Sequence, residues 1–396
     1  MHPLTRRHLL LGAAAFTSAP LSLALAATAG DARPDDARFV FVLLRGGLDG
    51  LAAVPAIGDP EFAAARGALA HFGAPPLPLE GTPFALHPTL TALHGLYRSG
   101  ELAVVHATGL AYRERSHFDA QQVLESGGSQ PYELATGWLG RALAAAGNRS
   151  GLALTTAVPL VLRGSERIDT WAPSALPEPS PDLLARLEFL YAGDAALAQA
   201  LARAKALREQ PGMNDGPGSS AAGARAAALA LARKAGELLA AAQGPRVAVL
   251  EMGGWDTHTH QAAPAGALAN NLRTLDAALA ALRDAMAGAA WSRSVVVVAT
   301  EFGREVAGNG SQGTDHGTGG AAFVLGGAVH GGRVLADWPG LARAQRHEGR
   351  DLRITTDLRS VLKGVLGAHL RVPDSVIERT VFPGSAAVRA AALLRA

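Results

Sequence analysis

Phe39-Val40-Phe41-Val42-Leu43-Leu44 runs directly into Arg45-Gly46-Gly47-Leu48-Asp49-Gly50, and the reading of this junction decides the fold. Six consecutive aromatic, β-branched and aliphatic residues leave no polar face. Such a strand is covered on both sides, as the inner strands of a mostly parallel sheet are. The glycines then permit a tight turn and close backbone approach, with Asp49 as the turn's one carboxylate.

The same pattern recurs outward from it. Residues 102–106, 158–163, 246–252, 294–300 and 321–325 are short apolar runs without alternation. Ala/Leu-rich stretches at 89–99, 117–126, 181–208, 220–242, 265–287 and 356–369 predict helices between and beyond them. Strands alternating with helices predict an α/β fold with the sheet layered between helices. Residues 210–223 are rich in Gly, Pro, Ser and Asn and read as a surface loop. The wider stretch 164–243 reads as a helical insertion or cap on a single domain spanning 30–396.

In such sheets ligands collect at the carboxyl ends of the strands, so the polar residues after each apolar run are the candidates. Asp49 follows the first. Arg113, Arg115 and Ser116 follow the second and lead into a helix. Ser116 stands where a capping serine stands, and equally where a nucleophile would profit from a helix N-terminus. After 246–252 come Asp256, His258 and His260, a carboxylate and imidazoles of the kind that bind zinc and its neighbours. Glu301-Phe302-Gly303-Arg304 follows 294–300, and Asp315-His316 sits in a glycine-rich turn that opens the run 321–325. Carboxylates and imidazoles near a serine are the set a metal-dependent hydrolase needs.

The chain has no cysteine, so any metal must sit on His, Asp and Glu. At the N-terminus Arg6-Arg7 precedes an apolar run from Leu9 to about Ala26 and the small residues Ala27-Thr28-Ala29. This is the order of a removable twin-arginine signal peptide, residues 1–29, and predicts a periplasmic or secreted protein that meets the twin-arginine translocase. The 36 basic residues against 34 acidic include Arg6 and Arg7. Removing 1–29 leaves 34 against 34, so the charge balance predicts no nucleic-acid partner. No later stretch is long and apolar enough to predict a membrane span. Neither a Walker-type loop nor a dinucleotide-binding glycine fingerprint opens a helix.

Taken together, LLRGGLDG (43–50), FALHPTL (84–90), RSHFDAQ (115–121), GWLGR (137–141), GGWDTH (253–258), TEFGR (300–304), GTDHGTGG (313–320) with VLGG (324–327), DWPG (337–340) and ITTDLR (354–359) resemble the domain of unknown function 1501 family. The resemblance covers essentially the whole chain after the signal segment. That family is grouped with the alkaline phosphatase and sulfatase superfamily. The resemblance therefore implies an alkaline phosphatase-like three-layer sandwich, with a mostly parallel central sheet flanked by helices, and a two-metal plan. It implies Ser116 as nucleophile with Arg115 beside it, and Asp49 as the first-strand carboxylate. Asp256 with His260 matches the superfamily spacing, and Asp256 with His258 the family's own. By motif the Asp-His pair is Asp315-His316. By position it is Glu301-Phe302, with His316 the later lone histidine, and Phe302 then replaces a ligand. The positional reading groups Asp256, His258 or His260, and His316 at one metal, with Asp49 and Glu301 at the other.

These expectations describe an exported hydrolase of phosphate or sulfate esters using one or two divalent ions, zinc or manganese. Its substrate is a small anionic ester held by Arg113 and Arg304. The alternative is a non-catalytic secreted binding or assembly protein on the same scaffold.

Overall fold

The 39–44 run is the centre of a strand, Arg38–Leu44 (β1), buried at every residue. Its alternation feeds two separate cores. Val40, Val42 and Leu44 enter one, Phe39, Phe41 and Leu43 the other, which is why the sequence showed no polar face. The computed structural model describes residues 37–147, 150–173, 181–208, 221–261 and 266–395, and Asp36–Ala396 is one compact unit. The expected signal segment, 1–29, and residues 210–220 of the expected loop lie outside the described residues.

The further strands of the main sheet are Leu102–Gly109 (β2), Gly151–Ala153 (β3), Ile168–Thr170 (β4), Val247–Met252 (β5), Ser294–Thr300 (β6), Gly320–Leu325 (β7), Arg333–Leu335 (β8) and Thr356–Asp357 (β9). Their order is β8-β2-β7-β6-β1-β5-β3-β4, with β9 also on β2. Every pairing is parallel except those of β7, which runs antiparallel to both β2 and β6. The fold is thus a mixed α/β one with a mostly parallel central sheet, as expected.

Helices cover both faces. Thr91–Arg98 (α1), and after it Ala221–Ala240 and Ala267–Ala285, lie on the Val40 side. His117–Ser126 (α2), Trp138–Ala145 (α3) and Leu358–Ala368 lie on the Phe41 side. There Trp138 is fully buried, meets the Phe41 ring edge-on at 5.2 Å and donates its indole N–H to the Leu124 carbonyl at 3.1 Å. A buried aromatic thus keeps its one polar atom satisfied, and each such side chain stabilises the layers by about 1.5–3 kcal/mol.

Two expectations are corrected. Residues 158–163 form no strand but a single 3-10 turn, Leu160–Leu162, after Pro159. Proline lacks the N–H a ladder needs, and Gly137 and Gly140 of the α3 region pack directly on this backbone. Residues 181–208 are two helices, Pro181–Tyr191 and Ala195–Arg208. Asp194 breaks the run by capping the second, accepting from the Ala196 and Leu197 amides at 2.9 and 3.1 Å. Within 164–243, β4 extends the sheet and Ala221–Ala240 packs along Ala267–Ala285.

Candidate metal centre

The antiparallel course of β7 builds the site. Parallel strands β1, β2, β5 and β6 end at one edge of the sheet, and β7 begins there. The turns after Leu44, Gly109, Met252 and Thr300 therefore meet the turn before Gly320. Gly46, at φ +123°, lies so close to the next turn that a Cβ would stand 2.5 Å from the Asp256 amide. Gly47, at φ +75°, leaves room for the Phe302 ring. No side-chain-bearing residue fits either place without strain.

Among the described residues, the ligand atoms of His117, Asp256 and His316 lie within 4.8 Å of one another. His117 is the first residue of α2. Its Nδ1 donates to Glu301 Oε1 at 2.8 Å, because an ionised carboxylate can only accept. In the neutral ring its Nε2 then carries the lone pair; that atom is buried without a hydrogen-bond partner and faces Asp256 Oδ2 at 3.4 Å. His316 repeats the arrangement: Nδ1 donates to the Arg115 carbonyl at 2.9 Å, and Nε2 meets Asp256 Oδ1 at 3.1 Å. His258 does so a third time, with Nδ1 on Asp315 Oδ1 at 3.2 Å and Nε2 3.0 Å from Asp256 Oδ1.

The His258 and His316 Nε2 atoms face each other at 2.9 Å. Two lone pairs so placed repel unless a proton or a cation lies between them. Neighbouring donor atoms are 2.9–3.4 Å apart, close to the roughly 3.3 Å that tetrahedral bonds of about 2.0–2.1 Å impose. Each imidazole has its outer nitrogen fixed by an acceptor, as metal-binding histidines do. His117, Asp256 and His316 fit a divalent ion, and His258 stands beside Asp256 and His316 but outside that three-residue cluster.

The electrostatics agree. Partial burial opposes ionisation of Asp256, but the Arg304 guanidinium, bonded at 2.6 Å, outweighs it and holds the carboxyl at about 2. Burial likewise opposes ionisation of Glu301, and hydrogen bonds from His117 and Gln121 bring it below the usual range. Burial lowers His316, whereas the bond to Glu301 raises His117. The Phe302 ring packs against both, with centroids at 4.8 and 4.9 Å.

The structure brings together Asp256, His258 and His316, with Asp315 behind His258 and Glu301 behind His117. Other candidates are placed differently. His260 is exposed, at φ +49°, and is held by its backbone N–H to Ser311 rather than by its ring. Asp49 is buried and accepts from Arg66, Gln261 and the Ala52 amide. Arg304 is buried on Thr314, the Gly46 carbonyl and Asp256, so it faces inward. Arg115 is paired with Asp351 and Glu348. Arg113 is exposed. Ser116 takes the N-cap position of α2, yet its hydroxyl makes no capping hydrogen bond.

Two contributors were missed in the sequence. His117 read only as a helix start, although it follows Ser116 at a strand-end turn. Asp351, fully buried, fixes Arg115 and so the carbonyl that orients His316. Arg350 adds a bond to the His316 carbonyl at 2.9 Å.

The family described as "Protein of unknown function (DUF1501)" matches residues 103–381. No curated protein matches the chain. Among solved structures, Ps i-CgsB aligns at 10% identity over 85% of this chain and 72% of that one, with a TM-score of 0.43. The phosphonate monoester hydrolase of Agrobacterium radiobacter aligns at 11% identity over 85% and 74%, TM-score 0.37. A 2-O GAG sulfatase, BT1596, aligns at 9% identity over 73% and 64%, TM-score 0.36.

Proposed function

The chain belongs to the DUF1501 family, and on that footing we propose that it is a divalent-metal-dependent hydrolase of phosphate or sulfate esters. The observation that carries this reading is the bare, buried Nε2 of His117 turned towards Asp256 and His316. His117, Asp256 and His316 would hold the ion. When bound, it supplies Lewis acidity towards an ester oxygen.

The chain's own residues supply the rest. Ser116 presents an uncapped hydroxyl at the N-terminus of a ten-residue helix, where unpaired amides and the helix dipole favour an anion or a developing alkoxide. Arg113, exposed three residues before Ser116, is the nearest arginine in sequence that faces solvent. Phe302 keeps water from the inner sides of His117 and His316. A cleft of about 740 Å3, lined by Arg225, Met252, Trp255, Asn270 and Thr274, opens beside the end of β5.

The test is a panel of phosphate mono- and diesters and sulfate esters, run with zinc- or manganese-loaded protein. Activity is expected in the wild type and lost in Ser116→Ala, Asp256→Ala and His316→Ala. An activity unchanged in all three overturns the assignment.

Export is part of the proposal and rests on Arg6-Arg7 and the apolar run after them. Among the described residues no helix is long and apolar enough to cross a membrane. A reporter fused behind residues 1–29 is expected to leave the cytoplasm only where the twin-arginine translocase is present.

A second reading, a secreted binding or assembly protein, draws on Pro181–Tyr191 and Ala195–Arg208. These helices expose Leu183, Phe189, Leu190 and Leu197, with Phe189 87% exposed, and exposed apolar residues in a group mark interaction surfaces. A partner retained by the wild type and lost from Phe189→Ser/Leu190→Ser, with no esterase activity in either, would favour it.

A further inference from the structure

We propose that the centre holds one ion only, because the Arg66 guanidinium already occupies the cation's place on Asp49. This inference rests on the metal-centre reading above and concerns the second ion that the family resemblance implies.

The residues expected to hold that ion are Asp49 and Glu301, with Phe302 at the remaining ligand position. Phe302 offers no ligand atom, and both carboxylates are already engaged by the protein. Asp49 is 1% exposed. Its Oδ2 takes both Arg66 Nη2 and the Gln261 side-chain amide, and its Oδ1 takes the Ala52 amide. The Arg66 side chain is itself fully buried and tied to the Val306 carbonyl at 2.9 Å. Releasing Asp49 to a metal would strand this guanidinium in the interior, and an unpaired buried charge is far less favourable than a paired one.

Glu301 is engaged chiefly through one oxygen. Oε1 accepts from the Gly46 amide, Gln121 and His117 at 2.8–3.0 Å, while Oε2 shares the single Thr300 hydroxyl proton with the Leu44 carbonyl, each at 2.8 Å. The Gln121 amide cannot turn round, because its oxygen accepts from Arg45 at 3.0 Å. Arg45 is in turn clamped between Glu125 and Glu251. Among the described residues, the clustered His, Asp and Glu ligand atoms are those of His117, Asp256 and His316, with neither Asp49 nor Glu301 among them.

Phe302 alone would not decide the matter, since a histidine there could restore one ligand. Arg66 does, because it neutralises the carboxylate that the second ion would need. A fixed guanidinium gives the interior the same sign of charge as a cation, but it offers no open coordination position.

The test is metal stoichiometry of the folded full chain, by equilibrium dialysis against saturating zinc followed by elemental analysis. Wild type and Phe302→His are compared, with circular dichroism to verify folding. One equivalent in each is expected. Two equivalents in the wild type overturn the one-ion proposal. One in the wild type and two in Phe302→His overturn the role given to Arg66, because Phe302 would then be the sole closure. No bound zinc in the wild type instead overturns the metal-centre reading itself.

Discussion

His117 Nδ1 donates to Glu301 Oε1 at 2.8 Å, and by doing so leaves the opposite nitrogen of the same ring bare and turned towards Asp256. In the proposed centre Glu301 acts from behind His117, through tautomer and basicity.

Replacing Glu301 by Gln keeps the shape and an accepting oxygen but removes the charge. Zinc affinity is expected to fall about 10–100-fold, the usual cost of losing a ligand's supporting carboxylate, with the far-ultraviolet spectrum unchanged. Competition with a chromophoric chelator measures it. Unchanged affinity would remove Glu301 from the centre.

Metal retention should fail on acidification through the histidine range rather than the carboxylate range. Asp256, at about 2, stays ionised in mild acid. Burial keeps His316 neutral to lower pH than an ordinary imidazole, whereas the Glu301 bond lets His117 take up a proton at higher pH than its ordinary value of about 6.5. As pH falls, His117 is the first ligand to exchange the ion for a proton. Zinc retained after gel filtration between about pH 8 and pH 4 follows this. Retention down to about pH 4 in the wild type would contradict this order of loss.

Asp351→Asn should both loosen the centre and destabilise the fold. The buried Asp351 carboxylate pairs with Arg115 and Arg350, and breaking a buried pair costs about 3–5 kcal/mol, reduced here to about 2–3 kcal/mol because Arg115 is partly exposed. Urea unfolding of the apoprotein measures the stability. Zinc affinity measured in native buffer should fall as well, because the Arg115 carbonyl that orients His316 loses its anchor.

Gly46→Ala places a methyl 2.5 Å from the Asp256 amide at φ +123°. Strain of this kind is of order 1–3 kcal/mol, and relief by moving the Asp256 turn would also weaken zinc binding. Gly147→Ala, also at positive φ but open to space, is the control: it should carry backbone strain and leave zinc affinity unchanged.

Much of the sheet was legible because its strands are covered on both faces, so β1, β2, β5, β6 and β7 stand out as nearly continuous apolar runs. Direction is not written in such a run, and the antiparallel course of β7, which draws Asp315-His316 to the edge shared with Asp256, emerges only from the packing. Strands of three residues, β3 and β4, are too short to carry a pattern. Among site residues, Asp256, His258 and His316 announced themselves as polar groups at strand ends. His117 did not, because a histidine opening a helix is locally unremarkable. The partners of Asp49 illustrate a second limit. Gln261 lies 212 residues away, so whether that carboxylate is free or engaged depends on tertiary contacts alone.

The most direct test of the centre is an anomalous difference map from crystals grown with zinc, collected across the zinc absorption edge. The account predicts a peak bounded by His117 Nε2, Asp256 and His316 Nε2. A peak elsewhere, or none at saturating zinc, would contradict it.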